Sequence, residues 1–286
     1  MKLPDRATTP MPYNYIPELD ATAELDANNN TMFQDLIGEL RCATKIFRVD
    51  TLHEVLVLLA FRSSSREGYL HQLFHIFAFM KRNPKLKIYF DPRFPNIYPT
   101  SLLGSSAEEI REQYQYSIEE LPKYMPDPRF KLVTIATFVD ASHALDNRTI
   151  KSHTEYVIFV NRIPIVFYGK QQLTVDSSIF SSEFIAINTG TEHIIAIIFK
   201  LRMFRVDIDG ISIILNDNES AVKNSSKVES TMNKKHSSIS CHLVRQNVAA
   251  GVAKIEWILK ANNISDSLTK RSTEAKRGKL FCDWNY

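Results

Sequence analysis

From residue 33 onward the apolar positions recur at helical spacing. Phe33, Leu36, Ile37 and Leu40 share one face, and Leu52, Val55, Leu56 and Leu59 share another. Leu70, Leu73, Phe74, Phe77 and Met80 form a third stripe, which predicts a helix from Arg66 to Lys81, ended by Asn83-Pro84. Residues 1–30, rich in Pro, Asn and Asp, read as an irregular lead-in, and 31–97 as a small mainly helical region that includes a short strand, Lys87–Phe90. Residues 98–130 carry prolines at 99, 122, 126 and 128 and read as a linker, with one short helix near 106–117.

After Arg129 the period changes from helical to strand-like. Leu132 to Asp140 is β-rich, and Glu155–Val160 and Ile163–Tyr168 are two further strands joined as a hairpin through Asn161-Arg162. A long helix is predicted from about Phe180 to Phe204, apolar over most of its surface and therefore packed on a sheet. Ile211–Leu215 is a fourth strand, Ser237–Ala250 a helix, Val252–Leu259 a fifth strand, and a final short helix starts near Ser265. The order β-β-β-α-β-α-β-α over residues 131–286 predicts an α/β domain: a mixed five-stranded sheet with flanking helices.

Composition adds little to the fold and something to the partners. The 286 residues are 44% hydrophobic and 23% charged, as expected of a folded globular chain. The net charge of +3 is uninformative, but twelve Lys or Arg face four acids between Lys223 and Lys279, a segment that would attract a polyanion. A solvated basic face is the plainer reading. The three cysteines show no C-x-x-C spacing, which suggests neither a disulfide framework nor a zinc site and fits a reducing, intracellular setting. The longest apolar run, Val55–Phe61, is far short of a membrane span, and no signal-peptide pattern opens the chain.

The chemistry is concentrated in four carboxylates at element ends. Asp140 closes the first strand, Asp217 follows the fourth, Glu183 lies in the first turns of the long helix, and Asp266 opens the last helix. If the first and fourth strands are neighbours, Asp140 and Asp217 emerge side by side, with Glu183 and Asp266 rising from adjoining helices. Hard oxygen ligands so placed suit Mg²⁺ ions roughly 3.5–4 Å apart in phosphodiester hydrolysis. Each has a blander reading as a turn former or helix cap. Glu183 resists that reading most, because a carboxylate in an apolar helix needs a partner or a cation. Lys235 and His236 precede a helix and suit phosphate contact or a solvated basic loop. Neither G-x-S-x-G nor a phosphate-binding G-x-x-x-x-G-K-[ST] loop occurs.

Several segments, in order, resemble the C-terminal end of a copia-type retrotransposon polyprotein, the tail of reverse transcriptase followed by its ribonuclease H domain. They are Leu36–Arg41 with Arg48-Val-Asp50, Arg66-Glu-Gly-Tyr-Leu70, Val139-Asp-Ala141, Ser182–Ala186, Asp217–Ala221, Lys235-His236, His242–Arg245 and Asp266–Lys270. The resemblance implies a ribonuclease H-like fold and a Mg²⁺-dependent enzyme, with two ions, that cuts the RNA strand of RNA–DNA hybrids. It implies Asp140, Glu183, Asp217 and Asp266 as the metal-binding catalytic set, and Lys235, His236, Arg245 and Lys270 as nucleic-acid contacts. Residues 31–90 then correspond to a thumb or connection region. With no Asp-Asp pair in the sequence, the chain is expected not to polymerise by itself, and the upstream polymerase portion becomes a candidate partner. Ser142, Glu155, Glu219, Cys241 and the segment Tyr168–Gln172 depart from the family pattern; at Glu155 a Gly is usual. The alternatives are a catalytically inactive, nucleic-acid-binding remnant of the element, or a DNA-directed nuclease or strand transferase of the same fold.

Overall fold

A computed structural model describes residues 7–46, 48–85, 90–93, 121–144, 149–176, 178–226 and 235–269, together with 112, 114, 117 and 119. It divides into two compact units, Met1–Tyr89 with Ser267–Trp284, and Phe90–Asp266 with Asn285–Tyr286. The expected strand at Lys87–Phe90, Phe90 apart, and most of the expected helix at 106–117 lie outside the described residues.

In the first unit, α1 (Ala27–Ile46), α2 (Leu52–Leu59) and α3 (Glu67–Arg82) enclose Phe33, Ile37, Leu40, Val55, Leu58, Leu73 and Ile76. Phe33, Ile37, Leu40, Val55 and Leu73 are among the positions whose spacing predicts the helices, while Leu36, Leu59, Phe74, Phe77 and Met80 pack against this core only partly buried. Asp26 caps α1 by accepting the Asn29 amide at 2.7 Å. The lead-in is tied down by an antiparallel bridge, Glu24 to Arg66, at the start of α3. Between α1 and α2 the chain turns at Arg48-Val-Asp50. Both charged side chains are buried there, and the guanidinium grips the carboxylate twice, Nε to Oδ1 at 2.9 Å and Nη2 to Oδ2 at 2.7 Å. Nη1 also donates to the Met80 carbonyl at 3.3 Å, and the Phe79 ring lies 5.8 Å from Arg48 Cζ. A buried pair of this kind holds the end of α3 against the α1–α2 turn.

The second unit is a five-stranded sheet in the order β3-β2-β1-β4-β5. The strands are β1 (Ile135–Ser142), β2 (His153–Val160), β3 (Ile163–Gln171), β4 (Ser212–Asn216) and β5 (Ala253–Trp257). The first three form an antiparallel meander, turned at Asn161 (φ +54°) as predicted, and β4 and β5 add in parallel on the other side of β1. A register shift at Ile158/Phe159 faces Pro164, which lacks an amide to donate to the ladder. This is the mixed five-stranded sheet with flanking helices expected from the element order.

The helix α4 (Ile179–Met203) packs on β1 and β2. Ser178 caps it, its Oγ accepting the Ser181 amide at 3.3 Å. A Cβ on Gly190 would stand 3.1 Å from Val139 Cγ2, so the absent side chain lets α4 come close to β1. Burial is one-sided, however. Phe184, Ala186, Ile187, Ile194 and Ile198 face the core, while Ile195, Phe199 and Met203 are exposed. By length and apolar content α4 could cross a bilayer, but its packed face and the buried Glu183 within it make it a core helix here.

One element was not anticipated. Between β4 and the expected helix, now α6 (Lys235–Ala249), runs α5 (Glu219–Ser226), followed after β5 by the single-turn α7 (Asp266–Thr269). Asn218 caps α5 by accepting the Ala221 amide at 3.0 Å, a signal present in Asp217-Asn-Glu-Ser-Ala221.

Removing Asp50 would strand a buried guanidinium. Asp50→Ala is expected to lower the opening free energy of α1 and α3 amides by about 3–5 kcal/mol, read by native-state hydrogen exchange. A loss under about 1 kcal/mol would show that the pair does not hold these helices.

Candidate metal centre

The parallel ladder between β1 and β4 ends at Val139 opposite Asn216. Each strand's next residue is an aspartate, so Asp140 and Asp217 leave the ladder side by side at its C-terminal end. β1 itself runs on to Ser142, because its antiparallel pairing with β2 continues to His153. From α4, one turn beyond the capped end, Glu183 reaches the same place. One carboxylate oxygen from each of Asp140, Glu183 and Asp217 lies within 4.8 Å of the other two, and Asp140 and Glu183 are 4% exposed. The sequence expectation for these three is met as geometry.

Two asparagines hold the cluster in place. Asn216, fully buried, donates through Nδ2 to the Val139 carbonyl at 3.1 Å and to Glu183 Oε2 at 2.9 Å. Asn263 Nδ2 donates to the same carbonyl at 3.0 Å, and its Oδ1 accepts from the Ser265 hydroxyl at 2.6 Å. Trp257 Nε1 donates to the Asp217 carbonyl at 3.1 Å, fixing the turn that carries this aspartate. None of these three was singled out from the sequence. Asn and Trp at strand ends read there as turn or packing residues, and only the pairing of strands reveals what they bind.

Asp266 opens α7 as expected, and its amide donates to the Asn263 carbonyl at 3.2 Å. It stands outside the set of three that meet within 4.8 Å. Lys235 and His236 begin α6, and their side chains, like all of Lys270, lie outside the described residues. Arg245 differs from expectation. It is 2% exposed, and both Nε and Nη2 donate to the Asn224 carbonyl, at 3.0 and 2.8 Å, so it fastens α6 to the last turn of α5 instead of facing a nucleic acid. The interior position reflects its helical phase, beside the buried Cys241 and Val244. Lys260, exposed after β5, is close enough to favour the charged form of Glu183 and was not anticipated. His143 also comes near, with Nδ1 3.4 Å from the hydroxyls of Ser152 and Ser182.

The departure at Glu155 brings in one more acid. Glu155 pairs directly with Asp140 across β1 and β2 and is 1% exposed. Burial, followed by the negative charges of Asp140 and Glu183, pushes its carboxyl well above the ordinary 4.5. Glu183 is raised well above 4.5 by burial and by Asp140, against the opposing hydrogen bond from Asn216. The arrangement concentrates negative charge where little water reaches, and hard oxygen donors of this kind can hold a divalent cation.

No family model matches the chain, and no curated protein matches it. Solved structures similar to it include the N-terminal ribonuclease H domain of a Mycobacterium tuberculosis protein, solved as a fusion with maltose-binding protein. Identity is 10% and the TM-score 0.36, over 51% of this chain and 99% of that one. Ribonuclease H1 of the halophilic archaeon Halobacterium salinarum is 12% identical, with a TM-score of 0.36 over 47% of this chain and 93% of that one. A foamy viral protease–reverse transcriptase in complex with an RNA/DNA hybrid is 15% identical, with a TM-score of 0.33; 83% of this chain covers 31% of that one.

With chelator present, folding should favour the protonated forms of Glu155 and Glu183. Their folded values are raised, so the folded unit holds these protons more tightly than the unfolded chain. Stability is then greatest at or below about pH 4.5, as far as these two groups decide it, and falls as pH rises through the raised values. The slope approaches about 1.4 kcal/mol per pH unit for each group while it is protonated only in the folded state. Urea unfolding in EDTA between pH 5 and 8 checks this. The decline should be smaller in Glu183→Gln, and equal slopes in both proteins would contradict the assignment.

Proposed function

We propose that the second unit is a Mg²⁺-dependent ribonuclease H that cuts the RNA strand of RNA–DNA hybrids, part of a copia-type retrotransposon polyprotein. The observation that carries this reading is the convergence of Asp140, Glu183 and Asp217 at the C-terminal end of the β1–β4 ladder. The ordered set of family-like segments read in the sequence supports the same reading. The donor set fits the metal: three carboxylates, two of them buried, offer only hard oxygen ligands.

Two Mg²⁺ ions, when bound, would supply an activated water and neutralise charge on the scissile phosphate. The chain's own residues do the positioning. Asp140, Glu183 and Asp217 would hold the ions, with Asp266 completing the set from α7. Asn216 fixes the rotamer of Glu183 by its bond to Oε2, and Trp257 and Asn263 fix the backbone on either side. Lys260 beside Glu183 offers a cation to the phosphate backbone, as do Lys235, His236 and Lys270 in this reading. A hybrid would be recognised by its shape and its 2′-hydroxyls. The upstream polymerase portion of the element is the proposed protein partner.

The test is cleavage of a labelled RNA–DNA hybrid by the full chain in Mg²⁺. The wild-type protein should cut the RNA strand, and Asp217→Asn should be slower on the order of 100-fold or more. Equal inactivity of the two proteins, with hybrid binding retained, would favour a non-catalytic binding remnant and reject the enzymatic reading.

A further inference from the structure

Glu155 is unexplained by the three-carboxylate cluster. It stands in the middle of the sheet, where β2 is buried at every position from His153 to Phe159. An acid has no reason of fold to be there, and burying one without compensation is costly. Its cross-strand partner on one side is Asp140, so the two Cβ atoms are about 4.5–5.5 Å apart with side chains on the same face. On the other side it pairs with Gly169, which has no side chain to engage it. No positive group stands among the charges that act on it; those are Asp140 and Glu183. Its Oε2 is buried with no hydrogen-bond partner among the described residues.

A buried oxygen with an open lone pair, placed beside two members of a metal-ligating set, is itself a ligand position. We propose that Glu155 is an additional ligand for a divalent cation held between Asp140 and Glu183, extending the metal centre from the β1–β4 ends onto β2. This rests on the reading of the cluster as a metal site. The direct pairing of Glu155 with Asp140 puts the shared ion on the Asp140 side of the cluster. A hard divalent ion, Mn²⁺ or Mg²⁺, suits a set of carboxylates better than a soft one. The centre would also couple to folding, because the ion offsets a repulsion that the metal-free unit must otherwise carry.

Mn²⁺ binding to the full chain, followed by titration calorimetry and by the paramagnetic resonance of free Mn²⁺, tests this in wild type, Glu155→Gln, Glu155→Ala and Asp217→Asn. Circular dichroism and thermal unfolding in EDTA accompany each variant. Glu155→Gln is nearly isosteric, so it should fold, and in EDTA it should melt higher than wild type. Its Mn²⁺ affinity should fall by about tenfold or more, with a smaller Mn²⁺-induced rise in melting temperature. Glu155→Ala should behave in the same way. If both folded variants bind Mn²⁺ within twofold of wild type while Asp217→Asn binds weakly, the metal centre stands and Glu155 is no part of it. If wild type binds no Mn²⁺ at millimolar concentration, the reading of the cluster fails and this inference falls with it.

Discussion

One buried amide organises the second unit. The two hydrogens of Asn216 Nδ2 reach the Val139 carbonyl of β1 and Glu183 Oε2 of α4. Strand β4, strand β1 and helix α4 are therefore joined at a single point, next to the first residue beyond each strand's ladder. Both bonds are inside the protein, where losing a partner would leave a buried group unsatisfied. The bond to Glu183, together with the charge of Lys260, also opposes the burial and the carboxylate charges acting against its ionisation. Remove the amide, and the strands would still pair and α4 would still pack on β1, but the Glu183 carboxylate would lose this bond.

The rest of the site reads as a balance around that constraint. Parallel pairing of β1 and β4 forces Asp140 and Asp217 together, and the close approach of α4 at Gly190 brings Glu183 to them. Like charges in a dry place destabilise the fold that carries them, a common trade where a site needs charge to bind its ligand. The compensations are local: Asn216 for Glu183, Lys260 nearby, and Asn263 and Trp257 pinning backbone instead of carboxylates. Among the described residues, Glu155 Oε2 has no hydrogen-bond partner. The first unit solves its own charge problem differently, closing Arg48 on Asp50 in a bidentate pair that leaves both groups engaged within the protein.

Much of this was legible before the fold was known, and the misses have physical causes. Periodicity located α1 to α3 and the five strands, because each has a face that must be buried. Strand ends located Asp140 and Asp217, and the oddity of an acid in an apolar helix located Glu183. The helix α5 was missed because its eight residues, Glu219–Ser226, are mostly polar and offer too short a stripe to show a period. The resemblance implied Arg245 as a nucleic-acid contact, whereas its phase on α6 turns it inward to the Asn224 carbonyl. Asn216 and Asn263 carried no signal, since their partners lie 77 and 124 residues away in the chain.

Asp266 shows how far such reasoning extends. Its place at the start of the last helix was correct, and the segment before it is firmly held: Asn263 bonds to the Val139 carbonyl, and the Ser265 hydroxyl and amide both close on Asn263 Oδ1. That carbonyl belongs to the residue preceding Asp140, so Asp266 begins three residues from an anchor on the site's own strand. It nevertheless stands outside the tight set, while Glu155, which departs from the expected pattern, stands against Asp140. Sheet register determines the second placement rigidly, because a one-residue slip would turn every side chain of β2 to the other face. Asp140 and Asp217 of the sheet, with Glu183 of α4, therefore define the centre.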